Sequence, residues 1–258
     1  MNSVAVVTGA ARGLGSVIAD RLELEGWRVV RTDIAGDGVV QLDVRDAEAC
    51  RSLAQETQPD LWVNNAGFLG AGDAATQPDE IVERVVAVNL LGVIHGTRAA
   101  LAVMRPREGG RGAGQIITIG SLASWVPVPG ECVYAASKAG VLSFTLGLSA
   151  ELAQQGVTGV RLGVICPDGM LTPMITDVID DPAIAMTFTG FRQVAPGKVA
   201  DEVVRMLRRP RRVVSVPHWR GAQVRALSGI PDAALRLAPL FMKLGRSGQD
   251  RVRRRLGR

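Results

Sequence analysis

Tyr134 and Lys138 stand four residues apart in Val-Tyr-Ala-Ala-Ser-Lys-Ala-Gly, and Ser121 lies thirteen residues before the tyrosine, at the end of the strand-like run Gln-Ile-Ile-Thr-Ile-Gly. Helix positions i and i+4 share a face, so a phenol and an ammonium can point into one cleft while the serine reaches it from a neighbouring strand end. A phenol beside a fixed cation is a tunable acid. Bringing its pKa from about 10 to near neutrality takes about 4 kcal/mol of preferential stabilisation of the phenolate. Alone, Tyr-x-x-x-Lys reads as an amphipathic helix with a snorkelling lysine. Here, however, the tyrosine is the only one in the chain, and the lysine is one of three (Lys138, Lys198, Lys243) against 27 arginines. Lysine differs from arginine in being a compact ammonium that can relay a proton.

A second constellation sits near the N-terminus. After the apolar run Ser-Val-Ala-Val-Val come Thr8-Gly9-Ala10-Ala11-Arg12-Gly13-Leu14-Gly15, opening into a helix that carries Val17, Ile18 and Leu22. Glycines in a strand-to-helix turn let backbone approach phosphates, helix N-terminal amides meet a pyrophosphate, and the last glycine permits close helix–strand packing. The next strand ends in Asp33, eighteen residues beyond Gly15, where a carboxylate can accept both hydroxyls of a ribose. Together they point to a dinucleotide. Asn89 lies in an otherwise apolar run, Val85 to Leu91, where an unsatisfied amide costs about 1 to 3 kcal/mol, so a specific partner is expected.

With these motifs in order, the chain from about residue 3 to residue 217 resembles the short-chain dehydrogenase/reductase family. Thr8-Gly-x-x-x-Gly-x-Gly15 is similar to that family's cofactor turn, Asp43-Val44 to its adenine contact, and Asn64-Asn65-Ala66-Gly67 to the motif supporting its central strand. Asn89, Ser121, Tyr134 and Lys138 match its catalytic tetrad. The resemblance implies tyrosine as general acid/base and serine holding the substrate oxygen. It implies lysine on the nicotinamide ribose, lowering the tyrosine pKa, and asparagine fixing a relay water. The cofactor set it implies is Gly9, Arg12, Gly13, Leu14, Gly15, Asp33, Asp43, Val44, Asn65, Ala66, Gly67, Tyr134, Lys138, Pro167, Gly169 and Thr172. Read from the residues alone, Asp43 is equally a strand cap and Asn65 a turn residue. Asp168 stands where the family commonly has the glycine of Pro-Gly, which leaves the backbone there open. The Val213–Pro217 run lacks the usual Asp-Gly-Gly ending, so the family's tetramer contacts near it are not carried over.

Asp33 repels a 2′-phosphate: like charges about 4 Å apart at an effective dielectric near 20 interact by roughly 4 kcal/mol. Ile34 follows it where a phosphate-binding enzyme commonly has arginine, whereas Arg12 in the turn argues the other way; NAD(H) is favoured over NADP(H). An apolar wall, Val126 to Pro129 together with Met170, Met174 and neighbours, points to a hydrophobic secondary alcohol or ketone, contacted by Ser121, Tyr134, Met170 and Met174. The rival readings are an NADPH-dependent ketoreductase of the same family and a non-catalytic dinucleotide sensor.

The elements that must position these residues alternate: strands near 3–8, 27–32, 39–42, 61–64, 114–120, 158–165 and 212–216, and helices near 13–25, 46–56, 80–104, 132–154 and 197–209. Runs such as Val-Ala-Val-Val are apolar on both faces, which predicts an α/β fold. Its sheet is parallel, of about seven strands, doubly wound and Rossmann-type, with helices on both faces. One domain over 1–220 is expected, with 168–196 as substrate-loop segment, followed by a basic helical extension over 221–258. With 47% hydrophobic residues in 258, the chain can bury a full core. Cys50, Cys132 and Cys166 form no C-x-x-C pair, and His95 and His218 are isolated, so neither disulfide nor metal site is signalled. No secretory signal pattern or uninterrupted apolar span is read, and a cytoplasmic protein is expected. The net charge of +5 comes from arginine clusters at 208–212 and 246–258, read as solvated surface, with no nucleic acid expected. The tail from Pro231 reads as a short amphipathic helix kinked at Pro239. It is expected to cover the cleft or cross a dimer interface, with an anionic membrane as the less favoured third reading. A homodimer or homotetramer pairing through the helices near 80–104 and 132–154 is implied by the resemblance.

Overall fold

The computed structural model describes residues 3–104, 113–190 and 192–258. Seven parallel strands form one sheet in the order β3-β2-β1-β4-β5-β6-β7. They are β1 (Val4–Thr8), β2 (Arg28–Asp33), β3 (Val40–Gln41), β4 (Leu61–Asn64), β5 (Gly114–Ile119), β6 (Val160–Pro167) and β7 (Val213–Val216). The expected α/β, Rossmann-type architecture is what the structure has. The strand order reverses between β1 and β4, and a crevice at the carboxyl ends of those strands is where such sheets take ligands.

Successive β1 residues serve opposite layers, which is why the whole run is apolar. Ala5 and Val7 pack with Ile18, Leu22, Val203 and Met206, beneath α1 (Gly13–Leu24) and α7 (Pro196–Arg208). Val6 packs with Trp62, Cys50, Ala100 and Ile116, beneath α2 (Ala47–Thr57) and α4 (Gly92–Met104). Each fully buried aliphatic side chain contributes about 1.5–3 kcal/mol relative to exposure. Asp46 caps α2 by accepting from the Glu48 and Ala49 amides, and Gln58, at φ 45°, ends it.

The helix expected over 80–104 is three pieces: α3 (Asp79–Val86), a π-turn (Ala87–Leu91) and α4. Counted through that turn, Asp79–Met104 is long and apolar enough to cross a bilayer, but half of its apolar window is buried within the fold. α5 (Cys132–Gln154) follows a short 3₁₀ turn (Leu122–Ser124). The 168–196 segment contains α6 (Pro173–Thr176) and a 3₁₀ helix (Pro182–Phe188), both started by a proline whose missing N–H would be unpaired there anyway.

Beyond β7 come α8 (His218–Ser228) and α9 (Pro231–Arg255). α9 differs from the short helix expected: it runs through Pro239 and takes in the arginine-rich end. Gly245 and Gly248 do not stop it, because they are contact points. A Cβ there would lie 2.1 Å from the Ala185 carbonyl oxygen and 2.4 Å from that of Phe188. Buried Gln249 donates from Nε2 to the carbonyls of Ile179 (2.8 Å) and Asp181 (2.7 Å), and Arg253 pairs with Asp180 at 2.8 Å. The tail is thus clamped onto the 168–196 segment.

Candidate active site

The nucleotide end is built from backbone. Gly9 and Gly13 turn at φ +66° and +64°, the left-handed region that glycine alone adopts without penalty. A Cβ on Gly15 would lie 2.0 Å from the Gly9 carbonyl oxygen, and one on Gly9 would lie 2.8 Å from the Cα of Ala66. Thr8 Oγ1 accepts from the amides of Asn65 and Ala66, both at 3.0 Å, and Asn65 Nδ2 donates to the carbonyls of Thr8 (2.9 Å) and Gly9 (3.0 Å). These bonds join the ends of β1 and β4. The N-terminus of α1 has no side-chain cap and no acidic residue in its first turn, so its amides face the cleft as an anion site. The Asp33 carboxylate accepts from Ala11 N (3.0 Å) and Ile34 N (2.8 Å), which fixes it at the tip of β2. A Cβ-free cradle, open amides and a tethered carboxylate fit a dinucleotide's pyrophosphate and ribose.

At the next strand ends the reacting groups gather. Ser121 lies two residues beyond the end of β5 and caps the 3₁₀ turn, its Oγ accepting from Ala123 N at 3.1 Å. Lys138 is buried and its Nζ donates to the Ile119 carbonyl at 2.9 Å, 5.7 Å from the centre of the Tyr134 ring. Burial pushes the lysine down to about 8. Tyr134 is pushed above the ordinary phenol value, chiefly by burial, then by the negative charge of Glu131, while the Ser121 hydroxyl acts in the opposite direction. The expected depression of its pKa by Lys138 is therefore not what the structure has, because the ammonium is itself poorly solvated and is turned to a carbonyl.

One cavity of about 1490 Å³ connects these groups. That exceeds the roughly 300–1,000 Å³ of a single small-molecule pocket, so cofactor and substrate can share it. Of the catalytic, cofactor and substrate residues expected from sequence, every one but Asn89 lines this cavity, including Asp43, Val44, Gly67, Pro167, Gly169, Met170, Thr172 and Met174. Asn89 does not line it: it is fully buried behind the wall. Its Oδ1 accepts from Phe68 N and its Nδ2 donates to Phe68 O, both at 2.8 Å, and to Ser137 Oγ at 3.2 Å. The π-turn aims it there, and its partners make it a brace for the Phe68 peptide.

Asp43 is gripped by Arg45, whose hydrogen bonds hold its carboxyl below the ordinary range. Arg12 pairs across the cleft with Asp177 at 3.1 Å. Asp168 is not in the left-handed region; its Oδ1 accepts from Gly169 N and its Oδ2 lies 3.4 Å from Arg220 Nε. Aspartate is accommodated there because Arg220, on α8, answers its charge.

Several lining residues were missed from sequence. Glu131, three residues before Tyr134, carried a usable signal in that spacing. Arg220, Leu227, Ala234 and Phe241, on α8 and α9, line the same cavity and gave none, since only tertiary packing brings them there. The tail does cover the cleft, one of the two arrangements expected of it.

A family profile described as short chain dehydrogenase matches residues 3–183. The chain belongs to that family, and it is an oxidoreductase acting on CH–OH groups with NAD or NADP. It is 34% identical over 209 residues to 2-(R)-hydroxypropyl-CoM dehydrogenase of Xanthobacter autotrophicus, covering 71% of this chain and 81% of that one. It is 35% identical over 198 residues to the NAD(+)-named 15-hydroxyprostaglandin dehydrogenase of Mus musculus, covering 68% and 70%. A crystal structure of an actinorhodin polyketide ketoreductase variant with NADPH aligns with a TM-score of 0.74 at 30% identity, over 83% of this chain and 95% of that one.

Proposed function

We propose that this protein interconverts a hydrophobic secondary alcohol and its ketone with NAD(H), Tyr134 exchanging the proton on the substrate oxygen. The observation that carries this reading is the convergence of Ser121, Tyr134 and Lys138 at one end of a cavity whose other end is the glycine cradle. The Gly9–Gly15 turn would hold the pyrophosphate and Asp33 the adenosine ribose. Asp43 and Val44 would flank adenine, with Asn65, Ala66, Gly67 and Lys138 toward the nicotinamide side and Pro167, Gly169 and Thr172 about the amide and phosphates. When bound, the dinucleotide supplies the hydride acceptor or donor. In the oxidation direction, the alcohol O–H proton passes to the Tyr134 oxygen as the carbinol C–H bond breaks. In reduction the phenol returns that proton to the new alkoxide. Ser121 orients the substrate oxygen, Lys138 fixes the ribose side, and Asn89 keeps the Phe68 backbone in place beside them.

NAD(H) is preferred because Asp33 faces the ribose position and Arg12, the one cation of the turn, is occupied by Asp177. Direct titration with both cofactors tests this, and tighter NADP(H) binding would reverse it. Apolar side chains, among them Leu69, Val126, Met174 and Ile175, support a hydrophobic substrate. A homo-oligomer is supported by Val86 and Leu91, which stay exposed on the 79–104 stretch. General acid/base catalysis contributes about 10² to 10⁴ in rate. Tyr134→Phe is therefore expected to lose at least about a hundredfold in kcat while still binding cofactor, and a near-normal rate rejects the assignment.

A further inference from the structure

Glu131 is the buried ionisable group in this cavity that proton exchange at Tyr134 does not use. It is 5% exposed, it lines the cavity, and its Oε1 accepts from Thr187 Oγ1 at 2.7 Å. Gly130 seats this corner, since a Cβ there would meet the Ala183 carbonyl oxygen at 2.1 Å. The other carboxylates around the substrate end are answered. Asp168 has Arg220, Asp177 has Arg12, and Asp181 accepts from the Ala183 amide at 2.8 Å. The nearby cations are engaged elsewhere: Arg84 stacks 4.2 Å from the centre of the Phe68 ring, and Lys138 donates to Ile119. Among the described residues, no basic side chain pairs with Glu131.

A carboxylate buried without a cation is unfavourable by several kcal/mol and is relieved by protonation or by a positive partner. Burial indeed pushes Glu131 up to about 7. The groups acting on it are Tyr134 one helical turn along and Thr187 from the 168–196 segment; neither brings positive charge. The missing positive partner can come with the ligand.

We propose that Glu131 is the specificity carboxylate of this cavity and that it receives an ammonium group carried by the substrate, about one helical turn from the reacting carbinol. The substrate class is then apolar amino alcohols and amino ketones. This rests on the secondary-alcohol reading given above and deepens it. It also gives the cation a second effect: with its charge answered, Glu131 no longer opposes formation of the Tyr134 phenolate.

The test uses the full chain and three matched probes, 2-amino-1-phenylethanol, 1-phenylethane-1,2-diol and 1-phenylpropan-1-ol, which differ in an ammonium, a hydroxyl or a methyl at one position. Their affinities for the NADH complex are measured by calorimetry in two buffers of different ionisation enthalpy. The ammonium probe is expected to bind at least about tenfold more tightly than either neutral probe at pH 8, and to release protons on binding at pH 7. In wild type its advantage should shrink as pH falls from 8 to 5, since the carboxyl then takes a proton, and Glu131→Gln should reduce the ratio to within about twofold. No ammonium preference, a preference independent of pH, or one that survives Glu131→Gln overturns the proposal; so does failure of the ammonium probe to bind. The wild-type pH series decides the matter should the variant not fold. Ammonium-selective binding without turnover of any probe would instead refute the secondary-alcohol reading and leave the Glu131 site standing.

Discussion

Replacing Glu131 by glutamine is expected to stabilise the protein at alkaline pH and to lose that advantage in acid. The carboxyl titrates near 4.5 when solvated and is raised to about 7 by burial in the fold. Below 4.5 both states are protonated and the residue is silent. As pH rises, the unfolded chain ionises first, so stability is lost progressively until the folded-state carboxyl also gives up its proton near 7. At about 1.36 kcal/mol per pH unit the full loss is about 3 kcal/mol, with roughly 2.5 kcal/mol of it falling between pH 5 and pH 8. Glutamine cannot ionise, yet its carbonyl can still accept from Thr187. Any buried amide hydrogen left unpaired adds a penalty of about 1–3 kcal/mol that does not vary with pH. The informative quantity is therefore how the difference between variant and wild type changes with pH. Urea unfolding of both proteins at pH 5, 6, 7 and 8 measures it through the midpoints and slopes. A difference that stays constant to within about 0.5 kcal/mol would show that Glu131 keeps an ordinary carboxylate pKa in the fold, and the electrostatic argument for its role would go with it.

The raised Tyr134 pKa predicts that kcat/KM for alcohol oxidation climbs with pH up to at least about pH 9, because the phenolate must be present to take the proton. Ketone reduction should lack that rising limb, and an oxidation profile flat from pH 7 to 9 contradicts the assignment. Gln249→Ala leaves the Ile179 and Asp181 carbonyls without their donor. It should speed amide hydrogen exchange in residues 173–188 and raise KM for apolar substrates several-fold, with cofactor affinity within twofold; unchanged exchange would show that α9 is not the clamp.

Most of the sheet was legible because parallel strands covered on both sides are short apolar runs, and β1, β4 and β5 are such runs with turn residues at their ends. The glycine turn and the Tyr-x-x-x-Lys pair were legible for a different reason: their spacing has a mechanical meaning, and tyrosine and lysine are rare elsewhere in the chain. The π-turn was not. Val-Val-Ala-Val-Asn-Leu-Leu has the same composition whether the helix takes four or five residues to close its hydrogen bond, and only the demand that Asn89 reach the Phe68 peptide selects the wider turn. The path of α9 was equally hidden, since glycine and proline ordinarily weaken a helix. Its continuation through Gly245 and Gly248 follows from what those positions touch.

The cavity is held in different ways at its two ends, and this bears on what can be inferred from relatives. Around the nucleotide cradle, the side chains of Thr8, Asn65 and Asp33 bond to backbone atoms at neighbouring strand ends, so any chain with these strands, glycines and three side chains reproduces the arrangement. Around the substrate end, the wall depends on long-range matches: Asp168 with Arg220, Thr187 with Glu131, and Gln249 with the carbonyls of Ile179 and Asp181. Each match has a member beyond residue 183, where the family profile ends. Chains that agree with this one through the catalytic helix can therefore differ wholly in the groups that meet the substrate. The identity of a relative's substrate then says little about this cavity, whereas the charge of Glu131 and the seating of α9 on the 168–196 segment bear on it directly.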